Sequence, residues 1–186
     1  MRYIKKQLFT LFFLFSISIV GQNYNIAEDD FIEVCEGVFT DSNAASNGIN
    51  YLNNENHSIT ICPDTAGTGQ AIQLEFTTFS VLGNISSSGV PSDDFMIIYN
   101  GEDDSGTGTP YTGTGGSTVP GVIVAEINAV NPDGCLTITF ESNGAVGFAG
   151  WEANISCFEP CQEISNPLIS TTPALTDSQL TVDVDE

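Results

Sequence analysis

Cys135-Leu136-Thr137-Ile138-Thr139-Phe140-Glu141-Ser142 puts Leu136, Ile138 and Phe140 on one side of an extended chain and Thr137, Thr139 and Glu141 on the other. Alternation of this kind marks a strand with one buried face. The same period recurs outward from it. Ile72, Leu74 and Phe76 alternate with Gln73, Glu75 and Thr77, and Trp151, Ala153 and Ile155 with Glu152, Asn154 and Ser156. Phe95, Ile97 and Tyr99 alternate with Met96, Ile98 and Asn100, where Met96 and Ile98 suggest burial on both faces. Further strands are expected at 37–40, 57–62 and 122–127. Clusters of Gly, Ser, Asn, Asp and Pro separate the runs, and no window carries a helical period. Short, evenly spaced strands with turn residues between them predict an all-β, antiparallel two-sheet β-sandwich.

The basic residues lie elsewhere. Arg2, Lys5 and Lys6 are the whole complement of Lys and Arg, and an apolar run from Leu8 to Val20 follows them. A basic head before an apolar stretch too short to span a bilayer comfortably reads as a secretory signal peptide over 1–21, with Gly21 at the cleavage position. Its removal takes three positive charges from the formal −21, so the exported chain would carry −24. A chain of that sign cannot neutralise phosphates, which argues against nucleic acid and against anionic membrane surfaces. It also lacks any lysine or arginine for Schiff-base or oxyanion chemistry. An acidic surface outside the cell attracts cations, Ca²⁺ above all, or serves solubility alone.

The rest of the chain divides by texture. Residues 22–34 are an acidic lead-in without strong pattern, and the alternating strands occupy 35–161. The stretch from Asn100 to Gly121 is rich in Gly, Thr, Ser and Asp and reads as one long loop, with room for a short strand near Tyr111. Residues 162–179 form a Ser/Thr/Pro/Asn linker. Leu180, Val182 and Val184 then open a further alternating run, expected to be the truncated start (180–186) of a following β domain.

Five motifs in order carry a family resemblance. They are Cys35-Glu-Gly-Val-Phe-Thr-Asp-Ser42 with Cys62, Ile72 to Phe79, Asp94-Phe-Met-Ile-Ile-Tyr-Asn-Gly101, Cys135 to Ser142, and Gly150-Trp-Glu-Ala-Asn-Ile-Ser-Cys157. Over residues 35–157 the chain resembles a CUB domain, and it is similar to variants in large cell-surface or secreted proteins of gliding bacteria. The resemblance implies an extracellular jellyroll sandwich that binds proteins or glycans beside other modules, often with a PKD-like immunoglobulin-type domain following. Trp151, the one tryptophan, is expected to fill the gap between sheets.

The resemblance also implies a first disulfide, Cys35–Cys62. The family's usual second pair has no counterpart between 102 and 134. Cys135 and Cys157 flank two successive strand segments, and if these return as a hairpin they pair, leaving Cys161 as the orphan. A bridge from Cys35 or Cys157 to Cys161 is the rival. For calcium, the family pattern falls on Asp94, on Asn143 and on Leu82, which cannot coordinate. Asp93 is the neighbour that could compensate. One carboxylate plus one amide is a poor Ca²⁺ site, and solvated turn carboxylates are the alternative.

Catalysis finds little support. His57 is the one histidine and lies in a polar run without a Gly-x-Ser-x-Gly elbow or a His-Glu-x-x-His helix. The reading is therefore a secreted or surface-attached, non-catalytic adhesion module. Its partners would be an extracellular protein or glycan and the downstream domains of its own polypeptide, and its mature part would not insert in a membrane. Loops near 83–94, 101–121 and 142–149, taken to share one sandwich end, are the expected ligand carriers. The rival is an accessory or targeting domain of a secreted hydrolase.

Overall fold

The computed structural model describes residues 21–159 apart from 44–49, 66, 68 and 115–119. The signal-peptide, Cys161, linker and following-domain expectations lie outside the described residues. The alternating runs do become strands, stacked as two sheets. The first sheet runs β1 (Asn23–Asn25), β3 (Glu36–Thr40), β13 (Gly150–Phe158), β5 (Ala71–Val81), β10 (Gly113–Thr114), with β11 (Val122–Val124) also on β5. The second runs β2 (Phe31–Glu33), β4 (Asn56–Cys62), β12 (Leu136–Glu141), β8 (Phe95–Asn100), β9 (Thr109–Tyr111). A hairpin of β6 (Gly83–Ile85) and β7 (Pro91–Asp93) projects from one end.

The inward rows meet in one core. Phe39, Leu74, Phe79, Trp151 and Ile155 come from the first sheet and Ile59, Ile61, Met96, Ile138 and Phe140 from the second. Trp151 lies with its ring centroid 5.7 Å from Phe39 and 4.9 Å, edge-on, from Phe140, so it joins the two sheets as its alternation predicted. Phe76 and Phe79 both face inward although they are three positions apart, an odd spacing. A register shift on β13 between Glu152 and Ala153 skips Thr77, which hydrogen-bonds the Glu152 carbonyl at 3.1 Å, and one extra residue reverses the parity of the strand. Gly150 has φ +71°, and a Cβ there would strike the Asp41 carboxylate. The glycine before Trp151 is thus demanded by conformation and by space.

Four expectations change. The sandwich is antiparallel only in its interior, because β1 pairs with β3 and β2 with β4 in parallel. The 22–34 lead-in supplies those two edge strands, with Tyr24, Ile26 and Ile32 in the core. Its strands are three residues long, too short to show a period. The stretch 101–121 holds the short strand expected near Tyr111, β9, which returns antiparallel along β8 (Met96 opposite Tyr111), but it also holds β10, which pairs with β5, so it is not one long loop.

The fourth change concerns the cysteines. The bridges are Cys35–Cys157 and Cys62–Cys135, in place of Cys35–Cys62 and Cys135–Cys157. Strand register explains both. Leu136 stands opposite Ile61, so the next antiparallel pair is Cys135 with Cys62. Ser156 stands opposite Glu36, so the next pair there is Cys157 with Cys35. The hairpin assumption failed because β12 and β13, consecutive in sequence, belong to different sheets.

Candidate functional site

The two ends of the sandwich are built differently. At the bridged end, β8 finishes at Asn100 opposite the start of β12 at Leu136. The loops 101–108 and 125–135 meet there around a cleft of about 380 Å³. That volume lies within the range of roughly 300–1,000 Å³ typical of small-ligand sites. Tyr99 and the loop 101–107 form one wall; Val130 and Pro132 form the other.

Hydrogen bonds hold both walls. Asn131 is fully buried; its amide nitrogen donates to Asn100 Oδ1 at 3.0 Å, to the Glu126 carbonyl at 3.1 Å and to the Cys135 carbonyl at 2.9 Å. Its Oδ1 accepts from the Cys135 N–H at 2.9 Å, so both ends of the amide are engaged, with the two N–H groups shared among three acceptors. Asn100 completes the clamp, accepting from Glu126 N–H at 2.7 Å and donating to its carbonyl at 3.0 Å. On the other wall, Thr137 donates to the Gly101 carbonyl at 2.9 Å and Thr60 to that of Glu102 at 3.3 Å. Asp103 accepts from the Ser105 N–H and hydroxyl at 3.0 and 2.6 Å, which lowers its pKa. Close approach matters too: a Cβ on Gly108 would strike Ile97 and the Tyr99 ring.

The aspartate end gathers the residues read as calcium ligands. Asp94 is 2% exposed. Its Oδ2 accepts from the Tyr51 hydroxyl at 2.6 Å and its Oδ1 from the Asn143 N–H at 2.8 Å. The Leu82 N–H donates to the Tyr51 oxygen at 3.0 Å. Asn143 Oδ1 accepts from Ala145 N–H at 2.7 Å, and its amide nitrogen faces Asp93 Oδ1 at 3.4 Å. Asp93 itself is exposed, at φ 65°. Asp94, Asn143 and Asp93 are therefore together, but turned toward one another and toward N–H and O–H donors. As arranged, one buried carboxylate with both oxygens already accepting does not fit Ca²⁺, which takes six to eight oxygens. Among the described residues no group of three His, Cys, Asp or Glu is placed to hold a metal ion.

His57 also lies at the aspartate end, half-buried, with Nε2 3.5 Å from Glu55. The expectation of three ligand loops at one end thus divides. Loops 83–94 and 142–149 belong to the aspartate end, and 101–108 to the bridged end. Tyr51, Asn131 and Tyr99 were not singled out as site residues in the sequence. Tyr51 had one visible signal, a lone aromatic ring in an asparagine-rich stretch.

Burial, then the hydrogen bond to Asp94, pushes the Tyr51 phenol pKa well above its ordinary value near 10. Tyr51→Phe strands the Leu82 N–H and leaves one Asp94 oxygen without its donor, and is expected to cost about 1–3 kcal/mol in urea denaturation at pH 7. As pH rises past about 10 the unfolded phenol ionises first, so wild-type stability falls while the variant has no such proton to lose. The gap between the two should narrow above pH 10.

No family model and no curated protein matches the chain. Solved structures do. The chain is similar to the full extracellular region of zebrafish Gpr126/Adgrg6, with TM-score 0.51 and 14% identity, over 71% of this chain and 15% of that one. It is also similar to the CUB1-EGF-CUB2 domains of rat MASP-1, with TM-score 0.50 and 13% identity, over 73% of this chain and 43% of that one. It spans less than half the length of either.

Proposed function

Taking the sandwich as CUB-like, we propose that the chain is an extracellular, non-catalytic binding module, secreted or displayed at a cell surface, that holds a protein or glycan in the cleft of its bridged end. The observation that carries this reading is the built state of the cleft. Two disulfides, the Asn100–Asn131 clamp and the Thr60 and Thr137 hydroxyls fix both walls. A site ordered before binding spares the cost of ordering loops on contact. The disulfides are in keeping with an oxidising, extracellular setting. The cleft offers carboxylates, hydroxyls and a tyrosine ring, while the one histidine is at the other end. The aspartate end acts on this reading as a hydrogen-bonded lock in place of a cation site.

Arrays of glycans and extracellular peptides, probed with the full chain, test the assignment. Tyr99→Ala is expected to weaken capture at least about tenfold, equivalent to 1.4 kcal/mol. Asn84→Ala, on the hairpin of the aspartate end, should leave capture unchanged. The reverse pattern would move the ligand to the aspartate end.

A further inference from the structure

Asparagine followed by glycine is the pair at which a chain most readily attacks itself, because a residue without Cβ leaves its main-chain nitrogen open to the preceding side-chain amide. The sequence holds three such pairs, Asn47-Gly48, Asn100-Gly101 and Asn143-Gly144, of which the first lies outside the described residues. The structure treats the other two in opposite ways. Asn100 is clamped: its Oδ1 accepts from the Glu126 N–H and from Asn131 Nδ2, and its Nδ2 donates to the Glu126 carbonyl. Asn143 lies in the turn after β12, and Gly144 is exposed, with its N–H in no hydrogen bond among the described residues. Asn143 Nδ2 is held only by Asp93 Oδ1, at a long 3.4 Å. Asn143 Oδ1 accepts from the Ala145 N–H at 2.7 Å, which draws charge from Cγ and favours negative charge on that oxygen as Cγ is attacked.

We infer that Asn143 is a site of spontaneous deamidation and that the reaction loosens the aspartate end. The Gly144 nitrogen gives its proton to solvent hydroxide and bonds to Asn143 Cγ. The Cγ–Nδ2 bond breaks, and Nδ2 leaves as ammonia with a proton taken from water. Water then opens the five-membered imide at either carbonyl, giving aspartate or isoaspartate. One water is consumed and one ammonia released, with no change of oxidation state. Aspartate sets a carboxylate against Asp93 where an amide donor stood, and the like charges repel. No Lys or Arg after position 6 can compensate them. Isoaspartate routes the main chain through Cγ, so the carbonyl that accepts from the Asn54 N–H at 2.9 Å becomes a free carboxylate. Either product disturbs the turn whose N–H holds Asp94 Oδ1.

The test is ageing of the full chain in warm, mildly alkaline buffer, followed by glutamate-specific digestion and mass spectrometry. Peptide 142–152 carries Asn143 as its one asparagine, and 76–102 carries Asn100. In the folded chain Asn143 is expected to lose its amide at least about tenfold faster than Asn100, where three hydrogen bonds must open first. The two rates should converge once the chain is reduced and held in urea. The converted chain should melt at least about 3 °C below the fresh one. Asn143→Gln and Gly144→Ala, aged in parallel, should each keep their own fresh melting temperature. An Asn143 that stays intact, or reacts no faster than Asn100, would overturn the site. A converted chain that melts like the fresh one, or an equal loss in aged Asn143→Gln, would overturn the loosening.

Discussion

Digestion of the unreduced chain will release two linked peptide pairs, one joining Cys35 to Cys157 and the other Cys62 to Cys135. Trypsin has no site beyond Lys6, so a glutamate-specific protease is needed; cuts after Glu55, Glu102 and Glu141 separate the four cysteines. Mass spectrometry before and after reduction identifies the pairs. Recovery of Cys35 with Cys62 would contradict the registers of β4 with β12 and β3 with β13, and with them the assignment of strands to sheets.

The energetic consequence is large because both bridges are long-range, closing sequence separations of 122 and 73. Chain-entropy arithmetic assigns loops of that length roughly 4–5 kcal/mol each, and less in sum because one loop lies inside the other. Whole domains have about 5–15 kcal/mol of stability. Cys62→Ala/Cys135→Ala should therefore cost about 2–5 kcal/mol in urea denaturation, and loss of both pairs should leave the chain largely unfolded at 37 °C. Both bridges also sit at the cleft end, and Cys135 is hydrogen-bonded on both its N–H and C=O to Asn131. Its removal should loosen the cleft before it unfolds the sandwich, which ligand titration of the Cys62→Ala/Cys135→Ala variant would detect.

How far the sequence could be read follows from the range of each interaction. Strands β4, β5, β8, β12 and β13 were legible because alternation is local: Leu136, Ile138 and Phe140 announce their own face. Strands β1 and β2 were not, since three residues against a longer neighbour borrow their burial from it. Pairing of the cysteines was illegible because it depends on which sheet each strand enters, and β12 and β13 part company there. Composition flagged 101–121 as polar, and residues 102–107 are exposed. It could not reveal that β9 folds back along β8, placing 101–108 at the cleft and Thr112 beside Asp94, where its hydroxyl meets the Asp94 carbonyl at 3.0 Å. Asp94 was found through a motif, whereas its partner Tyr51, 43 positions away, showed only as a lone aromatic ring among asparagines, which does not name its partner.

Asp94→Ala is expected to lower stability by about 3–5 kcal/mol, while Ca²⁺ and chelator leave the wild-type melting temperature within about 1 °C of each other. The first half follows from what the carboxylate holds. Its two charge-assisted hydrogen bonds tie the Tyr51 segment and the Asn143 turn to the start of β8. Deleting it strands a phenol and a backbone N–H inside the protein, since Tyr51 is 3% exposed. Asp94→Asn should cost less, because its amide oxygen still serves one donor. The second half follows from the donor count. A Ca²⁺ site of micromolar affinity would add about 4 kcal/mol at millimolar Ca²⁺, a shift of roughly 10 °C that calorimetry could not miss. A rise of that size, lost in Asp94→Ala, would mean that the Tyr51 and Asn143 donors turn aside for a cation, and the lock would become a binding site. A neutral Asp94→Ala with no Ca²⁺ effect would mean that Tyr51 and Asn143 find other partners and that this end is held by packing alone.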